Sequence, residues 1–222
     1  MIAYVRMQLL RWIRRTLGIG LLVGAVFLPT FLSVLFLAFG MTGTREVVQR
    51  NFVSTIVGCT LTASGLSLVN QLSSLVEEEA RQKRSALLRV GDLDGFRAVG
   101  AYSLLGLVLA FLHGTAGYAG PALLGLFAGI PLGAWVVPSA ATTLLLSAFG
   151  PPAILGSFLL PRVLALILLN SAALVAGIAL ATGLSLTSGE VAPGLFIGIL
   201  VLHAVSLAGG GFLWRAKSTF VW

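Results

Sequence analysis

The sequence predicts an all-α polytopic membrane protein, a single transmembrane domain over residues 1–222 with six spans. It also predicts an interfacial helix over 1–15 and a cytoplasmic helical segment over 77–97. Three observations predict this. First, 58% of the 222 residues are hydrophobic and 9% are charged, where a soluble domain of this size carries roughly 25% charged residues. Second, the apolar residues fall in six blocks of the ~20 residues needed to cross the hydrocarbon core. The blocks are Leu17–Gly40, Phe52–Val76, Ala98–Gly117, Pro121–Leu146, Leu155–Gly183 and Pro193–Trp214. Third, the cations are one-sided. With the N-terminus inside, Arg6, Arg11, Arg14, Arg15, Arg81, Lys83, Arg84, Arg89, Arg97, Arg162, Arg215 and Lys217 are cytoplasmic, and only Arg45 and Arg50 are outside. That bias places both termini in the cytoplasm. It also accounts for the net charge of +7 by orientation and by attraction to anionic lipid head groups, with no nucleic-acid partner required.

The elements follow in order. At 100° per residue, Ile2, Val5, Leu9, Trp12 and Ile13 share one face of the N-terminal segment, and Arg11, Arg14 and Arg15 gather on the other. This is the pattern of a helix lying in the membrane interface. The apolar stretch that follows is too long for the core of a cleaved signal, so the first span is read as retained. Inside lipid every backbone polar group must be paired within its segment, so the β-branched runs of the later spans are read as helix. External loops are expected at Met41–Asn51, near Thr115–Gly120 and at Leu184–Ala192. A short cytoplasmic turn is expected at Gly150, Pro151 and Pro152, where proline stops a helix. Pro29, Pro131, Pro138 and Pro161 are expected to kink their spans. Small residues four apart (Gly20 and Gly24; Gly125, Gly129 and Gly133; Ala173, Gly177 and Ala181) form ridges that allow close helix packing in lipid.

Catalytic chemistry is sparse. An intramembrane protease would need a serine within hydrogen-bond reach of a histidine. Ser64, His113 and His203 are the residues on offer, but no loop supplies an oxyanion hole. By the predicted spans, His113 lies one turn from an outer membrane edge and His203 near mid-span, roughly 9 Å apart in depth, which is poor for one shared metal. Each reads first as an interior hydrogen-bonding residue and second, together with Asn170, as part of a substrate path. Cys59, the only cysteine, lies mid-span and reads as a small apolar core residue. No Asp or Glu falls deep in any predicted span, unlike the pattern of ion-driven carriers. There is no GxxxxGK[ST], so no phosphate loop for ATP. The chain is expected to be neither an enzyme nor a holder of metal or cofactor.

What remains is the inside segment from Glu77 to Arg97. Glu77 with Arg81 and Glu79 with Lys83 are i,i+4 pairs in the favourable order. Leu87 and Leu88 form an apolar knob on a polar stem. Gly91 ends the helix, and Asp92 or Asp94 can cap the next. A plain turn between two spans would need fewer residues and no exposed leucine pair.

On these residues the chain resembles the permease subunits of type-2 ABC exporters. That family has six spans, an N-terminal elbow helix, and an acidic-basic stretch followed by Leu-Leu-x-x-Pro and then by Gly-Lys at the third span. Here Leu87-Leu88-Arg89-Val90-Gly91 stands where Leu-Leu-x-x-Pro would, and Gly100 matches the Gly of Gly-Lys. Gly91 replaces the proline and Ala101 the lysine. The resemblance implies a coupling helix, with Glu78, Glu79, Arg81, Lys83, Leu87, Leu88, Arg89 and Gly91 docking on a separate ATP-binding subunit. Two copies of that subunit would bind ATP and Mg, and a second permease, identical or homologous, would complete the pathway in a prokaryotic cytoplasmic membrane. The expected substrate is lipid-like, a peptide or a drug. The haem-exporting permeases of cytochrome c maturation share the layout and length. A non-transport scaffold or assembly factor is the alternative from another class.

Overall fold

The computed structural model describes residues 2–14, 16–39, 44–81, 95–159, 162–182, 201, 203–205 and 207–209. Among these residues the regular structure is entirely helical. Four stretches are long and apolar enough to cross a membrane: Leu22–Phe39, Val47–Leu75, Val99–Ala128 and Leu132–Gly156. They lie on the first four predicted spans, although the boundaries of the third and fourth move and the second begins earlier, its helix starting at Arg45 inside the external loop expected at Met41–Asn51. On the fifth predicted span lies a helix, Arg162–Thr182. The sixth is described as helical only at 201, 203–205 and 207–209.

The predicted N-terminal helix is α1 (Ile2–Arg14), separate from α2 (Thr16–Phe39). Leu9 packs on the core while Arg6 is exposed. The hub is α3 (Arg45–Arg81), about 55 Å long at 1.5 Å per residue. It packs against α2 and all four later bundle helices: α4 (Gly95–Ala116), α6 (Val136–Ser147), α7 (Gly150–Leu159) and α8 (Arg162–Thr182).

The third span does not end near Thr115–Gly120 as the sequence suggested. After α4 the chain kinks at Gly117–Tyr118 and continues as α5 (Ala119–Gly125) and a 3-10 turn, Leu126–Ala128. Pro121 sits in the first turn of α5 and cannot donate to the Gly117 carbonyl, which explains a kink. Tyr118 is buried and its hydroxyl meets Thr142 Oγ1 at 2.7 Å, so the segment stays in the core. The true end is at Gly129, which takes φ 74°. There Gly129 N–H bonds the Leu126 carbonyl and Ile130 N–H reaches back to Gly125, a helix stop built on a left-handed glycine. The Gln49 amide caps the same end, donating to the carbonyls of Ala128 (3.0 Å) and Gly129 (3.2 Å).

The fourth span is displaced in turn. Pro131 is extended (ψ 150°) and ends the connection. A 3-10 turn, Leu132–Trp135, then leads into α6. Gly150, Pro151 and Pro152 do not form a cytoplasmic turn. Gly150 lies against Gly106, halfway along α4, so this is a break inside the span between α6 and α7. Two successive prolines fill the first turn of α7, where their missing N–H groups do least harm to that helix. Pro138 likewise lies in the first turn of α6, and α2 runs through Pro29 as one helix. Pro161 lies outside the described residues.

The small-residue ridges are also redistributed. Gly20 and Gly24 face open space, Gly129 lies in the connection, and Gly133 lies in the 3-10 turn with open space around it. Of the predicted ridge, Gly125 packs closely on Trp135; further close approaches occur at Gly106 (against α3 and α7), Gly114 (α6), Gly117 (α3) and Gly120 (α2). Two apolar clusters fill the bundle. One joins Leu68, Leu72 and Leu75 to Tyr102, Leu105 and Ile154. The other is aromatic, with Phe52 edge-on to Phe36 (5.2 Å between ring centroids) and to Trp135 (5.9 Å). The face of α4 bearing Leu104, Leu107 and Phe111 is exposed, the apolar-outside pattern of a helix that meets lipid.

Candidate functional site

The polar residues that the spans do contain are turned inward and gathered. On α3, Thr60, Ser64, Ser67 and Gln71 recur at spacings of four, three and four, which puts them on one face of the helix. On α4 and the turn that follows it, Ser103, Gly106, Ala110, His113 and Gly117 do the same. All nine are buried. The two faces meet along a seam between α3 and α4. Thr142 on α6 closes it beside Tyr118, and Ser139 Oγ donates to the Gly114 carbonyl at 3.1 Å.

His113 is the centre of the seam. It lies midway along the Val99–Ala128 span, not one turn from its end as the sequence suggested. Its Nδ1 is 2.8 Å from the Leu109 carbonyl. A carbonyl only accepts, so Nδ1 carries the proton and Nε2 is left as the acceptor. The Ser67 hydroxyl donates to Nε2 at 2.9 Å. The Gln71 amide reaches both that nitrogen (3.2 Å) and Ser67 Oγ (2.9 Å). The three side chains form one neutral network joining α3 to α4. It does include a serine–histidine contact, though to Ser67 and not to Ser64. Both groups are buried, and Gln71 occupies the serine oxygen as well as the ring nitrogen. The arrangement ties helices together; it does not present a nucleophile.

The other predicted path residues lie elsewhere. Asn170, on α8, accepts from Asn70 Nδ2 at 3.5 Å, while the same Nδ2 donates to the Leu66 carbonyl at 2.6 Å. His203 lies close to the backbone of Ser147 at the break between α6 and α7, and its Nε2 is buried with no hydrogen-bond partner among the described residues. Pro151 has no N–H to give to the Ser147 carbonyl four residues earlier, which leaves that carbonyl available to a donor on a neighbouring helix. Among the described residues no three His, Cys, Asp or Glu side chains gather as a metal site would require. Cys59 is half-buried.

Of the coupling residues, Glu78, Glu79 and Arg81 lie on the last turns of α3, which continues without a break beyond Leu75. Lys83, Leu87, Leu88, Arg89 and Gly91 lie outside the described residues. The sequence reading missed Ser67, Gln71 and Asn70. Their signal was the helical spacing of Thr60, Ser64, Ser67 and Gln71 within an apolar stretch.

No protein-family profile, curated protein or solved structure matches this chain.

Proposed function

We propose that the chain is the membrane-spanning permease subunit of an ATP-driven exporter of the type-2 ABC class. It would work as a pair of permeases on two ATP-binding subunits. The observation that carries this reading is the continuity of α3. The helix that packs against most of the bundle runs on past its apolar stretch to Arg81, directly into the segment that resembles a coupling helix. A force applied to that segment by a closing ATPase pair would act on the hub helix itself. Four other helices rest on α3 beyond the first hairpin, so its movement would rearrange the whole bundle. The supporting pattern is electrostatic: between Val99 and Gly156 there is no Asp, Glu, Lys or Arg, so these two spans carry no acidic or basic residue of the kind that couples ions. Energy would then have to come from a partner.

The test is biochemical. The purified chain alone should hydrolyse no ATP, and hydrolysis should appear on adding its nucleotide-binding subunit. Robust hydrolysis by the chain alone would end the proposal. The proposed topology is checked separately in a Cys59→Ala background. A cysteine at Thr44 should react with an impermeant thiol reagent applied outside intact cells, and cysteines at Ser85 and Thr219 should not.

A further inference from the structure

The hydroxyl groups of this bundle behave in two ways. Thr30, Ser33, Thr62 and Thr115 lie off the seam, and each donates to the carbonyl one turn back, at 2.7–2.9 Å. That is the ordinary resort of a hydroxyl on an apolar helix. On the seam, Thr60 Oγ1, Ser64 Oγ and Ser103 Oγ are buried and have no hydrogen-bond partner among the described residues, as is true of Ser73 Oγ off it. Ser64 lies one turn from Ser67 toward the Gly129 end of the bundle. Ser103 lies almost three turns from His113 toward the Gly95 end. The His113–Ser67–Gln71 network stands between them. A buried hydroxyl left unpaired is costly, and Ser64 and Ser103 stand on the two sides of one polar plug.

We infer that the α3–α4–α6 seam is a hydrated polar path for an uncharged, hydrogen-bonding solute, closed in this structure by the His113–Ser67–Gln71 network. The solute class follows from the lining, which is hydroxyl, amide and neutral imidazole with no fixed charge to hold an ion or to match one. Ser64 and Ser103 would bond water, or the solute replacing it, on the two sides of the plug. As a route for cargo the inference rests on the permease reading. Hydration of the seam needs no partner subunit, so the labelling experiment and the ATPase experiment fail independently.

A thiol reacts as its thiolate, which forms where water can solvate it. In the Cys59→Ala chain in native membranes, single cysteines replace Ser64, Ser103, Leu105 or Phe111, and each variant is treated with iodoacetamide, a small neutral amide. Leu105 is buried in the apolar core, and Phe111 is on the exposed face of α4. Ser64→Cys and Ser103→Cys should be alkylated about tenfold faster than Leu105→Cys or Phe111→Cys, because only they would meet water. Adding His113→Ala, which removes the plug, should raise the Ser103→Cys rate further. Seam cysteines that react no faster than Leu105→Cys would show the seam to be dry and overturn the inference. A quaternary-ammonium methanethiosulfonate that modified them as readily as the neutral amide modifies them would overturn the assigned solute class.

Discussion

The first and third spans teach opposite lessons about the same composition. Both are long apolar helices with glycines and a proline. Yet 17% of Leu22–Phe39 is buried, against 56% of Val99–Ala128. The glycines of α2 look onto open space, while those of α4 touch neighbouring helices. What separates them is the company the glycines keep. Gly106, Gly114 and Gly117 lie close to His113 and Ser103 on α4, and these polar groups must be turned away from lipid. Gly20 and Gly24 have only Leu, Ile, Val and Ala around them, which lipid solvates well. In this membrane helix a polar residue near a small-residue row marks the inside better than the row does.

The largest effect should come from filling a tight glycine. A side chain at Gly114 would meet Thr143, whose Cα would lie 3.0 Å from the new Cβ. Gly114→Val should therefore cost about 1–3 kcal/mol or more through overpacking, read as a lower thermal midpoint of the purified chain. Gly24→Val should leave that midpoint almost unchanged. Equal losses at both sites would erase the contrast between the two spans.

A smaller effect should come from the network. His113→Leu removes the acceptor shared by Ser67 and Gln71 and takes from the buried Ser67 hydroxyl its acceptor, for about 1–3 kcal/mol. Because the three side chains form one unit, Ser67→Ala combined with His113→Leu should cost less than the two changes summed. Strict additivity in this double-mutant cycle, measured by thermal unfolding, would mean that the contact carries no energy.

The smallest effect sharpens the reading of the broken fourth span. His203→Ala should cost about 1 kcal/mol by removing the ring donor beside the Ser147 carbonyl. In a Pro151→Ala background the backbone N–H returns and can pair that carbonyl itself, so His203→Ala should then cost almost nothing. An unchanged cost would show that His203 acts elsewhere.

Much of this organisation was legible in the sequence. Block length and hydropathy located the first two spans, because lipid forces each segment to pair its own backbone. They misplaced the boundary between the third and fourth. Gly117 to Pro121 carries the letters of a turn, but burial of Tyr118 and its bond to Thr142 hold the helix in the core, and Pro121 produces only a kink. Gly150, Pro151 and Pro152 carry the same letters and form a break inside a span, beside a histidine more than 50 residues later in the chain. Local signals give the bend; only the tertiary partner decides whether a bend becomes a loop. The candidate site was half legible. His113 and Asn170 stand out as polar residues in apolar blocks, whereas Ser67, Gln71 and Asn70 become visible only when the spans are read on a helical face.

The most direct test of the permease reading lies in the segment after Arg81. Leu87 and Leu88, as the knob that fills a groove on an ATPase, would each contribute roughly 1.5–3 kcal/mol by burial. Leu87→Ala with Leu88→Ala should therefore lower affinity for the nucleotide-binding subunit about a hundredfold or more while membrane insertion stays normal. Glu79→Lys should weaken capture by less, since exposed charge pairs contribute under ~1 kcal/mol. The measurement is copurification of the nucleotide-binding subunit with each variant, beside an insertion control. Loss of the subunit from the double-alanine variant is the predicted result; full retention with undiminished transport-coupled ATP hydrolysis would contradict the assignment of a coupling helix, and with it the permease reading.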